Sequence, residues 1–145
     1  VGEFNGDQDR ISISGHSAGG QIVARLASCD WEDILGDPNP FCAVVPISGV
    51  FDLEPVRHTT MNDDIRLDEA SAADNSPMLD AVPVDVKMMA IVGGNESPEF
   101  VRQSDAYAAY CRRSGLTVPV YKAWGANHFL GTGSLFGHLK RFLQP

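Results

Sequence analysis

The sequence has 145 residues, 43% apolar and 21% charged, the composition of an ordinary globular domain and too short for two. Nineteen Asp and Glu against eleven Lys and Arg give a formal net charge of −8, which argues against a nucleic-acid partner and against an anionic membrane surface. No apolar run approaches the roughly 18 residues of a spanning helix.

The first residues, Val1-Gly2-Glu3-Phe4-Asn5-Gly6-Asp7, have neither the basic start nor the apolar core of a secretion signal. They also lack an initiator Met, so a piece of a longer chain is expected. Cys29, Cys42 and Cys111 are odd in number and widely spaced, and fit neither a zinc pattern nor a disulfide framework. Three reduced, mostly packed thiols in a cytoplasmic protein are expected.

Taken in order, Ile11-Ser12-Ile13-Ser14 alternates as a strand does, after a Gly/Asp turn. Gln21 to Ala27 places Ile22, Val23, Leu26 and Ala27 on one helical face. Phe41 to Ile47 is a continuous apolar run, as in a strand buried on both faces, with Pro46 near its end. Residues 52–82 are polar with scattered Pro and Asp, and read as an excursion over the active-site edge with short helical turns near Met61 to Leu67.

Val86 to Val92 is a second buried strand. Ser97-Pro98-Glu99 opens a helix, with Ser97 as N-cap, that runs to about Arg113 and closes at Gly115. Its Phe100, Tyr107 and Cys111 share a face. Val118 to Ala123 is a third strand candidate, and Gly133 to Leu143 a final amphipathic helix. Alternation of this kind means a single α/β domain over 1–145, a mostly parallel sheet with flanking helices, whose site lies at the carboxyl ends of the strands.

Gly15-His16-Ser17-Ala18-Gly19-Gly20 sits between the first strand and the first helix. A Gly-x-Ser-x-Gly string in that context is a nucleophile elbow. The serine occupies a sharp turn, and strand and helix pass so closely that a Cβ at Gly15 or Gly19 is expected to clash. The Ala18 N–H is placed to donate to a developing oxyanion at the helix start. His16, though adjacent, should point away and serve as structural support. No Gly-Lys-Ser/Thr follows, so the loop is not a phosphate cradle.

A serine nucleophile needs a histidine base and an orienting carboxylate, in the chain order Ser, acid, His for this architecture. Of His58, His128 and His138, His128 follows the last strand and is the candidate base. Glu96 is the first carboxylate after the strand that precedes it, with Glu99 next in order; Glu99 and Asp105 fall on the helix, and Asp85 at the wrong strand end.

The elbow, the run Gly6 to Ile11 and Asn127-His128-Phe129 resemble the α/β-hydrolase superfamily, esterase/lipase branch. The blocks Ser48 to Thr59 and Glu96-Ser97-Pro98-Glu99-Phe100 resemble its kynurenine formamidase (arylformamidase) group. The resemblance implies a triad of Ser17, Glu96 and His128, no metal and no organic cofactor, and hydrolysis of a small-molecule ester or N-formyl aryl amide. A short-chain carboxylesterase and a non-catalytic interaction module are the alternatives.

Many members of the group carry Asp where Glu96 stands. The group's His-Gly-Gly oxyanion segment has no counterpart in the sixteen residues before Ser17. A partial fold with its N-terminal strands missing is therefore expected, with that missing half or a second copy as possible partner. Phe51 and Phe129, on loops at strand ends, are candidates for an aromatic substrate wall, with ordinary core packing as the alternative.

Overall fold

The computed structural model describes residues 6–36, 39–83, 85–129, 139 and 141–143. Strand β1 (Ile11–His16) runs into the elbow, and the chain turns at Ser17 into helix α1 (Ala18–Ala27). Both elements exceed the expected lengths, because the strand continues through Gly15 and His16 and the helix starts directly after the serine. A short helix α2 (Trp31–Leu35) follows, capped by the Asp30 side chain and closed by Gly36 in the left-handed region.

Strand β2 (Phe41–Ile47) pairs parallel with β1 along its length. Residues 43–46 are buried, and Pro46 is penultimate. The strand expected over 86–92 is observed as β3 (Lys87–Met88) and β4 (Ala90–Gly93). Val44 pairs with Met88 and Ile47 with Ile91, so the same register runs across the gap at Met89. Physically it is one strand, interrupted at one residue. Strand β5 (Val120–Ala123) begins only after Pro119, which has no N–H for the ladder and whose carbonyl accepts from Ala90.

All pairings are parallel, in the order β1-β2-β4-β5 with β3 also on β2. Alternate strand residues supply two apolar faces. Val44, Met88 and Ala90 pack with Val23, Ala24 and Ala27 of α1 and with Tyr107, Ala108 and Cys111 of helix α5 (Pro98–Arg113). Val45, Met89, Ile91 and Ala123 face the other way, against Leu139 and Phe142. The expected helix over 133–143 lies mostly outside the described residues; 139 and 141–143 are helical. No helix among the described residues is long and apolar enough to cross a membrane.

Helix α5 starts with Pro98 at its first position, but Ser97 makes no side-chain cap bond. Gly115 at φ +94° closes it, its N–H donating to the Arg112 carbonyl. Two of the three cysteines depart from expectation: Cys29 and Cys42 are exposed and only Cys111 is buried. Cys42 lies beside Ser12 of β1, at 3.3 Å, in an exposed contact. Cys29 follows the end of α1.

The excursion holds a 3-10 turn (Glu54–His58), α3 (Asn62–Ile65), α4 (Glu69–Asp74) and a second 3-10 turn (Pro77–Leu79). Three of the side chains that tie it down are Arg25, Asn62 and Gln103. Arg25 on α1 donates to Asp80 and Asn75 at 3.0 and 2.9 Å. Asn62 bridges Arg57 to Leu67. Gln103 on α5, 4% exposed, accepts from the N–H groups of Phe51 and Asp52 at 2.7 and 2.9 Å and donates to the Asp52 carbonyl.

Gln103→Leu keeps the volume but strands one buried and one partly buried amide, each costing up to about 1–3 kcal/mol. Urea unfolding of the intact protein is expected to show a loss of several kcal/mol; an unchanged midpoint would mean that water replaces the amide.

Among the described residues β1 is an edge, with Ile11, Ser12, Ser14 and His16 exposed. Unpaired edges of this kind invite strand addition. Residues 1–145 produced alone are expected to self-associate in light scattering. A monomer with one cooperative unfolding transition is the contrary result.

Candidate active site

The elbow is built by backbone geometry. Ser17 has φ +58° and ψ −120°, a region that a non-glycine residue adopts only under constraint. The constraint is visible: Ser17 N–H donates to the Ile47 carbonyl at the end of β2, 2.9 Å away, and its own carbonyl accepts from Gly20 at 2.9 Å. A Cβ on Gly15 would lie 2.1 Å from the Gly19 carbonyl oxygen, so strand and helix touch there. The expected second clash, at Gly19, does not occur among the described residues: a Cβ there meets none of them within 4 Å. The other tight position is Gly20, whose Cβ would come within 2.7 Å of Gly49 Cα. Ala18 is the first helical residue, so its N–H has no partner within the helix.

Glu96 follows β4 on a turn held by Gly94 N–H to the Ala123 carbonyl and Asn95 N–H to the Ala126 carbonyl, 2.8 and 2.9 Å. The turn folds the carboxylate back over Gly93, where a Cβ would collide with it. That vacancy is how the extra methylene of Glu is housed. The Glu96 side chain is 1% exposed. Its Oε1 accepts from the Gly93 N–H at 2.7 Å and from the Ser48 hydroxyl. Its Oε2 lies 2.7 Å from His128 Nδ1. Burial is the largest influence on this carboxyl and pushes it up. The hydrogen bonds from Ser48, His128 and Gly93 together outweigh it and hold the group below the ordinary carboxylate range.

His128, in the loop after β5, closes the set: its Nε2 lies 3.0 Å from Ser17 Oγ. An ionised carboxylate only accepts, so Nδ1 carries the proton and Nε2 is left to accept from the serine. The ring is held between Phe100 and His16, at centroid distances of 4.4 and 4.6 Å. His16 therefore does not point away from the site as expected. It ends β1 with its ring against that of His128 and serves as one wall of the slot.

The other sequence candidates lie elsewhere. His58 is exposed and pairs with Glu54 at 3.2 Å. His138 lies outside the described residues. Glu99 is engaged by Arg102 and Gln103, which hold its carboxyl down at about 2, with the Arg102 hydrogen bond the largest cause. Asp105 pairs with Lys122 at 2.8 Å.

Phe51 is a correction. It is fully buried, stacked on Tyr107 at 4.2 Å with rings 4° from parallel, and belongs to the main core rather than to a substrate wall. It sits under the loop rather than on it, because its backbone is pinned by Gln103. Phe129 is 89% exposed at the rim of a cleft of about 580 Å³ that opens beside Ser17. The rest of that cleft's wall was missed. It includes Phe100, Val50 and the excursion residues Leu53, Val56, Met61, Ile65 and Leu67, and among the described residues His128 is the only titratable side chain lining it. Ser48 was missed as well. Its position at the carboxyl end of a buried strand was the available signal.

No protein-family model matches the chain. It is 31% identical to a kynurenine formamidase of Danio rerio over 124 residues, which is 82% of this chain and 42% of that protein. The chain thus spans less than half the length of the curated relative it matches. Among solved structures, one from Silicibacter sp., provisionally described as a thioesterase, superposes with a TM-score of 0.70 at 28% identity, over 94% of this chain and 47% of that one. A truncated carbohydrate esterase from gut microbiota superposes with a TM-score of 0.75 at 17% identity, over 98% of this chain and 61% of that one, a likeness of fold alone. By fold the chain is of the α/β-hydrolase type, and over most of its length it is homologous to kynurenine formamidase.

Proposed function

We propose that the protein is a serine hydrolase that cleaves a small ester or an N-formyl aryl amide through an acyl-enzyme. The observation that carries this reading is the unbroken relay from Ser17 Oγ through His128 to the buried Glu96 carboxylate, at 3.0 and 2.7 Å. Ser17 attacks the substrate carbonyl while His128 Nε2 takes its proton. His128 then returns that proton to the leaving amine or alcohol, and water repeats the sequence in reverse on the acyl-enzyme. Glu96 fixes the imidazole tautomer and faces the positive charge that forms on it. The Ala18 N–H donates to the oxyanion. It is one of the two donors that such a hole uses.

The apolar cleft beside Ser17 is far larger than a formyl group and suits the leaving group. It offers an aryl ring a hydrophobic wall. Among the described residues it also offers no cation to an amino-acid carboxylate, which favours a second reading, a carboxylesterase for neutral aryl esters.

In the intact protein, Ser17→Ala is expected to lower turnover by on the order of 10⁴–10⁶ with the fold retained. Glu96→Gln presents the wrong hydrogen-bond polarity to Nδ1 and costs up to ~10⁴. Glu99→Gln is expected to leave turnover nearly unchanged. A fluorophosphonate probe labels the parent and not Ser17→Ala; an active Ser17→Ala refutes the assignment.

Substrate class is decided by kcat/KM for N-formylkynurenine against a short-chain aryl ester. Pocket size alone separates acyl groups that differ by one methylene by only about 1–3 kcal/mol, so acetyl esters leak through even if the formamide is preferred. An inert formamide beside a fast ester replaces the first reading with the second.

A further inference from the structure

Ser48 is an outlier in two respects. It is a non-glycine residue at φ +47°, and it is a polar side chain only 2% exposed. It directly follows the end of β2, with its N–H donating to the Ile91 carbonyl on β4 at 2.7 Å. Left-handed backbone at serine costs free energy and persists only where the surroundings hold it. What the conformation achieves here is to send the hydroxyl into the space behind His128, onto Glu96 Oε1.

We propose that Ser48 is a positioning residue for Glu96, pinning one carboxylate oxygen so that the other is presented to His128. The proposal rests on reading Ser17, His128 and Glu96 as the catalytic relay. A glutamate has one more side-chain torsion than an aspartate, and an unpinned one can turn either oxygen, or neither, toward Nδ1. Ser48 O–H and Gly93 N–H both end on Oε1, which leaves Oε2 to His128. A buried carboxylate also needs its lone pairs met. Removing the hydroxyl leaves Gly93 alone on Oε1.

Ser48 is also the strongest of the influences that lower the Glu96 carboxyl against burial. Among the described residues the titratable groups around this space are few. His128 faces Glu96 from the loop after β5, and His16 at the end of β1 lies against His128. β4 contributes Ile91 and the Gly93 N–H, and β2 contributes Ile47 and leads into Ser48. Since the ionised carboxylate is the working form, loss of Ser48 makes Glu96 protonate at higher pH. The acid limb of the rate profile then moves up.

The test uses the intact enzyme and a short-chain aryl ester. Ser48→Ala and Ser48→Gly are both expected to lower kcat by about 10–100-fold, the range of a hydrogen bond to a charged group. KM should change little, since Ser48 lies behind His128 and not in the cleft. Both variants move the acid limb of kcat/KM to higher pH. In a Glu96→Gln background, Ser48→Ala adds no further loss, because no carboxylate is left to orient.

Glycine relieves the positive φ. A purely structural role would therefore leave Ser48→Gly at parent activity, and that result overturns the proposal; should the alanine variant fold poorly, glycine carries the test. Parent kcat and pH profile in Ser48→Ala, beside an inactive Ser17→Ala, also overturn it while the relay stands. An active Ser17→Ala instead removes the relay itself.

Discussion

The site depends on one close approach, that of strand β1 to helix α1 at Gly15. With no Cβ at Gly15, the first turn of α1 can press against the strand, and Ser17 is driven into its positive-φ turn between them. The turn does three things at once. It lifts Oγ off the sheet toward His128, it opens the helix immediately after the serine with Ala18 N–H unpaired in the helix, and it ties the elbow to β2 through the Ile47 carbonyl. The strain at Ser17 is local, and the adjoining core of Val23, Ala24, Ala27 and Val44 offsets it.

The same solution appears at the next strand. β2 also ends in a serine at positive φ, Ser48, and the two elbows touch where Gly20 meets Gly49. Two sharp turns at the carboxyl ends of neighbouring parallel strands need glycines against each other, since side chains would hold them apart. The first turn delivers the hydroxyl that we read as nucleophile. The second delivers a hydroxyl to the carboxylate at the other end of the relay.

What was legible in the sequence is what local chemistry dictates. Glycine spacing exposed the elbow, Pro98 the start of α5, and uninterrupted apolar runs the buried strands. Glu96 and His128 followed from their places after those strands, and the structure brings them within hydrogen-bond reach of one another and His128 within reach of Ser17. What was not legible depends on what covers a residue. Phe51 just after a strand reads equally as wall or core, and only the stack on Tyr107 and the Gln103 amide decide it. Cys42 looks packed until its place beside β1, the edge strand among the described residues, is known. His16 was misplaced for a simpler reason. β1 was ended at Ser14, and two more residues put His16 on the open face that Ser12 and Ser14 share, turned toward the loop that carries His128.

The first two turns of α5 couple the chemistry to the cleft. Glu96 lies two residues before the helix, Phe100 is in its first turn against His128, and Gln103 in its second turn pins the chain where it leaves Ser48 for the excursion. Glu99 between them locks Gln103 from the other side. A shift of this helix end therefore moves the acid, one wall of the base's slot and the root of the apolar cleft together. Such coupling explains why a polar side chain, Gln103, is buried where an apolar one would pack. It is the only one of these contacts that bonds backbone on the excursion, and backbone bonds fix position where apolar contact alone permits sliding.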